Sequence, residues 1–277
     1  MAEAADFYVR FWGVRGSIAC PGPHYQRYGG NTSCLEIRCG ADLLVFDAGT
    51  GARELGLKLA EEAPIDADLF FSHTHLDHIA GLPFFAPAFD PRNSFRLWAG
   101  HLAPEHDLRS VLGHMMKSPL FPVPLEIFQA RISFHDFEAG LTIEPRPGVK
   151  LRTAGLSHPD RATGYRVEFA GRSICYVTDT EHSGEGRDPK ILELIAGADI
   201  VVYDSMYTDE TYPKFRGWGH STWQEGVRLC DTAKAGRLVV FHHDPAHDDR
   251  AMDRIAAEAE IARPGTVVAR EGMILRP

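Results

Sequence analysis

Short apolar runs alternate with amphipathic stretches along nearly the whole chain, and the two periods predict a layered α/β protein. In FYVRFWGV (7–14) and SCLEIRCG (33–40), apolar and polar positions alternate with period two, the mark of a strand with one buried face. DLLVFD (42–47) and DADLFF (66–71) are compact apolar runs of strand length. Between them AGTGARELGLKLAEEA offers a glycine-rich turn and then a helix with Leu55 and Leu59 on its buried side. The second half repeats the scheme. GVKLRTAGLSH predicts a strand ending near His158, and GYRVEF–AG–RSICYVTD predicts a hairpin whose return strand ends at Asp179. Helix-then-strand units follow, ending at Asp204 and at His242–His243. The chain closes with a helix over roughly 248–262 and a strand pair in GTVVAREGMIL.

No linker or low-complexity stretch divides the 277 residues, which are read as one domain over 1–277. Residues 83–124 carry seven prolines and one candidate helix, roughly Pro104–Met116; this segment is expected to form a wall or lid, or else an irregular surface excursion.

Hydrophobic residues make up 44% of the chain and charged residues 24%, a composition that supports an ordinary core. The net charge of −9 supplies no general basic field for gripping a polyanion, so a small anionic substrate held by local metals suits the chain better. Five cysteines without a CxxC pair argue against a structural zinc finger or a disulfide framework, and point to a reduced, cytoplasmic setting. No apolar run approaches the ~20 residues of a membrane span, and the N-terminus lacks an export signal.

Fourteen histidines change the picture, because of where they fall. FFSHTHLDHIAG (70–81) crowds His73, His75, Asp77 and His78 directly behind a strand. Asp47, His73, His158, Asp179, Asp204 and His242 each follow a predicted strand, and strand ends are where α/β proteins gather ligands. Imidazole and carboxylate suit zinc, manganese and iron. Neither half of HxHxDH closes a coordination sphere alone, so His158, Asp179 and His242 are the candidate distant partners.

HTHLDH, the upstream DAGTG (47–51) and the ordered downstream His, Asp and His resemble the metallo-β-lactamase superfamily of hydrolases over essentially the whole chain. That resemblance implies a four-layer αββα sandwich of two mixed β-sheets with two metals at one edge. It assigns His73, His75 and His158 to one divalent metal and Asp77, His78 and His242 to the other. Asp179 would bridge them, and Asp47 would orient ligands from behind. LVVFHHDP leaves His243 as the alternative to His242. Zinc is expected, with manganese also fitting the ligand set. Paired divalent metals would supply a water nucleophile with a pKa lowered to about 7 and stabilise developing charge.

His75, rather than a carboxylate, disfavours the flavodiiron branch. DSMYTDETYPKFRGWGHST (204–222) resembles the ribonuclease Z and cyclic-phosphodiesterase branch, in which Asp204 would orient His220 as general acid. Asp204 stands where ribonuclease Z usually has glutamate. The competing reading makes His220 only a helix-entry residue, with Ser221 or Thr222 as the cap. Only 20 residues separate His158 from Asp179, too few for the arm that many bacterial ribonuclease Z enzymes carry there to clamp tRNA. GVRGSI and YGGNTSC resemble the start of phosphodiesterases of small cyclic phosphates. Arg15 and Asn31 are the candidate phosphate or ribose contacts, Gly29 and Gly30 would permit close backbone approach, and His182 is a candidate pocket residue.

The expected activity is hydrolysis of a small cyclic phosphate diester, a cyclic nucleotide or a phosphoribosyl cyclic phosphate, by a homodimer. The alternatives are a ribonuclease Z-like RNA processor, a thioester or lactam hydrolase of the same fold, and a protein that binds without turnover.

Overall fold

The computed structural model describes residues 6–183 and 186–277. In chain order the elements are β1 (Phe7–Gly13), β2 (Cys34–Cys39), β3 (Asp42–Phe46), α1 (Gly51–Leu59), β4 (Asp66–Phe71), α2 (Leu76–Ile79), β5 (Ser94–Ala99), α3 (Leu108–Met115) and β6 (Arg131–Asp136). There follow β7 (Thr142–Arg146), β8 (Val149–Leu156), β9 (Ala162–Phe169), β10 (Arg172–Val177), α4 (Pro189–Ile195), β11 (Ile200–Asp204), α5 (Trp223–Thr232), β12 (Arg237–Phe241), α6 (Asp249–Ala262), β13 (Val267–Val268) and β14 (Ile274–Leu275).

Two seven-stranded mixed sheets result, ordered β14-β1-β2-β3-β4-β5-β6 and β13-β12-β11-β10-β9-β8-β7. Each is part antiparallel and part parallel: β3 to β6 run parallel in the first sheet, and β10 to β13 in the second. The alternation in β1 does what its period requires, burying Phe7, Val9 and Phe11 between the sheets. Phe46, Phe70, Tyr165, Tyr176 and Phe241 meet them there with ring centroids 5.2–6.0 Å apart. Fully burying such a ring is worth about 1.5–3 kcal/mol, so this layer dominates the cohesion of the two sheets. β11, the run IVVYD, is buried on both faces because helices cover the outside of a parallel strand. Leu55 and Leu59 of α1 join the core outside the first sheet, and Ile191, Leu194 and Leu229 of α4 and α5 pack outside the second. The four layers are thus αββα. Among the described residues, no helix is long and apolar enough to cross a membrane.

Three expectations need correction. Residues 94–99 of the proline-rich segment form β5, paired with β4 and β6 inside the first sheet, so this stretch is not lid. The helix begins at Leu108 rather than Pro104, because Asp107 caps it by accepting the Ser110 N–H at 2.8 Å. The closing strands do not pair with each other: β13 extends the second sheet beside β12, while β14 lies against β1 in the first.

Candidate metal centre

The parallel strands β3 and β4 end at one edge of the first sheet. β10, β11 and β12 end together in the second, and β8 runs the same way because two antiparallel steps separate it from β10. Those six ends deliver Asp47, His73, His158, Asp179, Asp204 and His242 to one place. At three of them the backbone turns sharply through the left-handed region, with φ of 59° at Asp47, 54° at Asp179 and 60° at His242. Each such residue costs of order 1–3 kcal/mol, a cost that the surrounding packing has to meet.

Asp179 sits at the centre, fully buried, and its two oxygens face different partners. Oδ1 lies 3.7 Å from the Nε2 atoms of both His73 and His158. Oδ2 lies 3.2 Å from Nε2 of both His78 and His242. His75 Nδ1 is 3.1 Å from His158 Nε2 on the first side, and Asp77 Oδ2 is 3.3 Å from His78 Nε2 and 3.4 Å from His242 Nε2 on the second. His73, His75 and His158 offer donor atoms within 4.8 Å of one another, as do Asp77, His78 and His242. His243 turns away, its Nε2 bonded to the Ala269 carbonyl at 2.9 Å.

The donor set fits divalent cations. His73 Nε2 is buried without a hydrogen-bond partner, a cost of several kcal/mol in apolar surroundings if nothing met it. Among the described residues, Asp47, Asp77, Asp179 and Asp204 are paired only with histidines, so no Lys or Arg balances four clustered carboxylates. Burial lowers the pKa of His73 and His158 and keeps both rings neutral. For Asp179 burial acts the other way, but the imidazoles of His242, His78 and His73 outweigh it and hold the carboxylate ionised. At His78, by contrast, burial is outweighed by the carboxylates of Asp179, Asp77 and Asp47, which raise its pKa, so a cation binding there displaces a proton. Neutral imidazole and ionised carboxylate are the forms that bind metals.

Residues behind the donors fix their orientation. Asp47 Oδ2 meets His78 Nδ1 at 2.8 Å, while its carboxylate accepts from Ser72 N at 2.7 Å, Ser72 Oγ at 2.8 Å and Tyr176 OH at 2.7 Å. The Ser17 N–H donates to Asp77 at 2.7 Å, and the Gly219 carbonyl lies 2.8 Å from His158 Nδ1. Such partners set tautomer and ring orientation, and removing one typically costs 10–100-fold in metal affinity.

Beside both donor sets lies His220, with Nδ1 3.1 Å from Asp204 Oδ2 and 3.7 Å from Asp179 Oδ1. Asp204 is itself pinned by the N–H groups of Thr180 at 3.1 Å and Met206 at 3.2 Å, so the shorter acid still reaches the imidazole. Burial opposes protonation of His220, but Asp204, Asp179 and Asp77 prevail and raise it to about 9. Thr222 caps α5 by accepting the Glu225 N–H at 3.0 Å, the capping residue that the helix-entry reading of His220 allowed for. A cavity of about 470 Å³ opens next to His73 and His75, lined by His101, Glu105, His106, Asp160 and Arg161 among others.

Other sequence candidates have different roles. Arg15 is fully buried and donates to the carbonyls of Gly29 at 2.8 Å, Asp244 at 3.2 Å and His247 at 2.6 Å, so it staples the chain, while its Nη2 is buried without a hydrogen-bond partner. Asn31 is engaged by Thr50 at 3.0 Å and Glu271 at 3.3 Å. Gly30 admits the chain's own backbone rather than a substrate, since a Cβ there would sit 2.2 Å from the Cys20 carbonyl oxygen. His182 bonds Ser221 Oγ at 2.8 Å and stacks on Tyr212 at 4.1 Å, buttressing the turn that carries His220.

Glu181 was not singled out from the sequence. Its carboxylate accepts the Gly217 N–H at 2.7 and 2.9 Å and the Gly219 N–H at 2.9 Å, tying the loop before His220 to the strand end that bears Asp179. Its place two residues after Asp179 was the one available signal.

A sandwich of two mixed sheets with a buried His/Asp cluster at the strand ends defines a metallo-hydrolase class. Residues 43–243 match the beta-lactamase superfamily domain, and the chain belongs to that superfamily as a hydrolase of the metallo-β-lactamase fold. It is 23% identical to a ribonuclease Z of Haloarcula marismortui over 313 aligned positions, spanning 96% of this chain and 95% of the relative. In structure it resembles a diphosphatase from the PhnP family, with a TM-score of 0.72, 21% identity and 98% of each chain covered. It also resembles Zn(2+)-bound PqqB from Methylobacterium extorquens, with a TM-score of 0.69, 18% identity and coverage of 98% and 100%.

Proposed function

We propose that this hydrolase is a dinuclear-metal phosphodiesterase acting on a small cyclic phosphate diester. His73, His75 and His158 would hold one divalent cation and Asp77, His78 and His242 the second, with Asp179 shared. Zinc is the first candidate, since the donors are those it favours and the PqqB neighbour is a zinc-bound structure. Bound there, such a pair supplies a water nucleophile at neutral pH and charge stabilisation at the phosphoryl oxygens.

The observation that carries the reading is the Asp204–His220 pair beside both donor sets. Asp204 occupies Nδ1, which leaves Nε2 to donate a proton to the departing ester oxygen. Hydrolysis of a thioester, whose thiolate departs without a proton, gives no such reason for an imidazole held at this place. A small substrate is favoured over folded RNA because the chain between His158 and Asp179 is taken up by β9 and β10, which leaves no arm there, and because the net charge is −9.

The test is turnover of bis(p-nitrophenyl) phosphate and of cyclic nucleotides by metal-loaded protein. Both should be cleaved, Asp77→Ala should abolish cleavage, and His220→Ala should lower kcat by about 10²–10⁴-fold. Retention of full activity in Asp77→Ala, or cleavage of precursor tRNA in preference to either small diester, would refute the reading.

A further inference from the structure

The loop between β11 and α5 carries a feature that the hydrolytic chemistry leaves unused. Trp218 is 63% exposed, two residues from His220 and next to the Gly219 whose carbonyl holds His158. An exposed indole keeps its flat π-face free for a stacking partner. This loop is not slack: Glu181 fixes the N–H groups of Gly217 and Gly219, and the Trp218 N–H donates to the Phe215 carbonyl at 3.1 Å.

A run of rings connects Trp218 to the site. Its centroid lies 5.5 Å from that of Phe215, which stacks on Tyr207 at 4.7 Å, and Tyr207 meets His220 edge-on at 6.0 Å. Lys214 and Arg216 on the same loop are exposed, with the Arg216 guanidinium over the Tyr212 ring at 5.7 Å, so the loop bears two cations on a chain of net charge −9. An exposed aromatic on a loop that also carries basic side chains is a combination that stacks a nucleobase while drawing in its phosphate.

Building on the phosphodiesterase reading, we propose that Trp218 is a specificity-determining residue that stacks on the base of a nucleotide substrate, so that the enzyme selects a cyclic nucleotide over a cyclic ribose phosphate lacking a base. Lys214 and Arg216 add attraction for the anion, whereas the indole supplies the discrimination.

The experiment compares kcat/KM for 2′,3′-cyclic AMP and for ribose 1,2-cyclic phosphate on metal-loaded wild type, Trp218→Ala and Trp218→Phe. Binding of AMP and of ribose 5-phosphate is followed by calorimetry. The preference for the nucleotide should fall roughly 10-fold in Trp218→Ala and largely return in Trp218→Phe, and AMP affinity should follow it. If wild type cleaves both compounds and Trp218→Ala leaves their ratio and AMP binding unchanged, this inference is wrong while the phosphodiesterase reading stands. If wild type cleaves neither, both fall. An unaltered ratio together with a change from dimer to monomer would make Trp218 part of an interface between copies, and that too overturns the proposal.

Discussion

Replacing Glu181 with alanine should loosen the His220 loop without disturbing the sheets. The carboxylate receives two backbone donors, Gly217 N–H at both oxygens and Gly219 N–H at one, and neither glycine N–H has another acceptor among the described residues. Hydrogen bonds to a charged group are worth about 1.5–3 kcal/mol each, and partial exposure discounts that to about 1 kcal/mol apiece. The loop therefore loses about 2 kcal/mol of ordering, which corresponds to a roughly 30-fold rise in its open population. Hydrogen exchange read by mass spectrometry should show peptides covering 212–220 exchanging about 30-fold faster in Glu181→Ala, with peptides of β11 and β12 unchanged. Because the Gly219 carbonyl holds His158 and the next residue is His220, kcat for a small phosphodiester should fall by at least 10-fold. Glu181→Gln, which keeps an acceptor but loses the charge, should lie between. Unchanged exchange across 212–220, or wild-type kcat in Glu181→Ala, would show that the loop is ordered by its own packing and that this reasoning is wrong.

Chelation should abolish hydrolysis and lower Tm by roughly 10 °C, restored by zinc, since a ligand at 1,000 times its Kd contributes about 4 kcal/mol; differential scanning fluorimetry reads it. All five cysteines are free and buried, and burial pushes Cys39, Cys175 and Cys230 to about 12. Ellman's reagent at pH 8 should therefore label the native protein at well below one thiol per chain, and all five after denaturation. His101 is buried against Thr74 Oγ1 at 3.2 Å, and that burial, with Arg161 nearby, lowers it to about 3. The unfolded chain thus binds the proton more readily. Wild-type stability relative to His101→Gln should fall by about 1.4 kcal/mol per pH unit as pH drops from 6.5 towards 3, and hold steady above 6.5, in urea titrations.

How much of this was legible in the sequence depended on the range of the signal. The strand-end placement of Asp47, His73, His158, Asp179, Asp204 and His242 could be read because a period-two or apolar run ends abruptly in a polar residue, a local event. The same locality hid β5: SFRLWA is six residues set among prolines and polar turns, and only pairing with β4 and β6 makes it a strand. β13 and β14 are two residues each, so nothing near them in sequence could say that they belong to different sheets. Arg15 shows the limit most directly. A guanidinium after a strand looks ready for a phosphate, and it takes the fold to show that its Nη1 is held by the carbonyls of Asp244 and His247, more than two hundred residues away.

The left-handed turns at Asp47, Asp179 and His242 carry a wider consequence. Glycine would occupy those conformations without steric penalty, so the protein keeps its working side chains where the polypeptide itself would prefer none. Selection for heat resistance alone, with no screen for turnover, should therefore drift towards glycine or asparagine at Asp179 and His242 first, whereas Asp47 is kept by the Ser72 and Tyr176 donors that it satisfies. A lineage released from its chemistry would erode from its centre outward, becoming a sturdier and emptier version of the same fold.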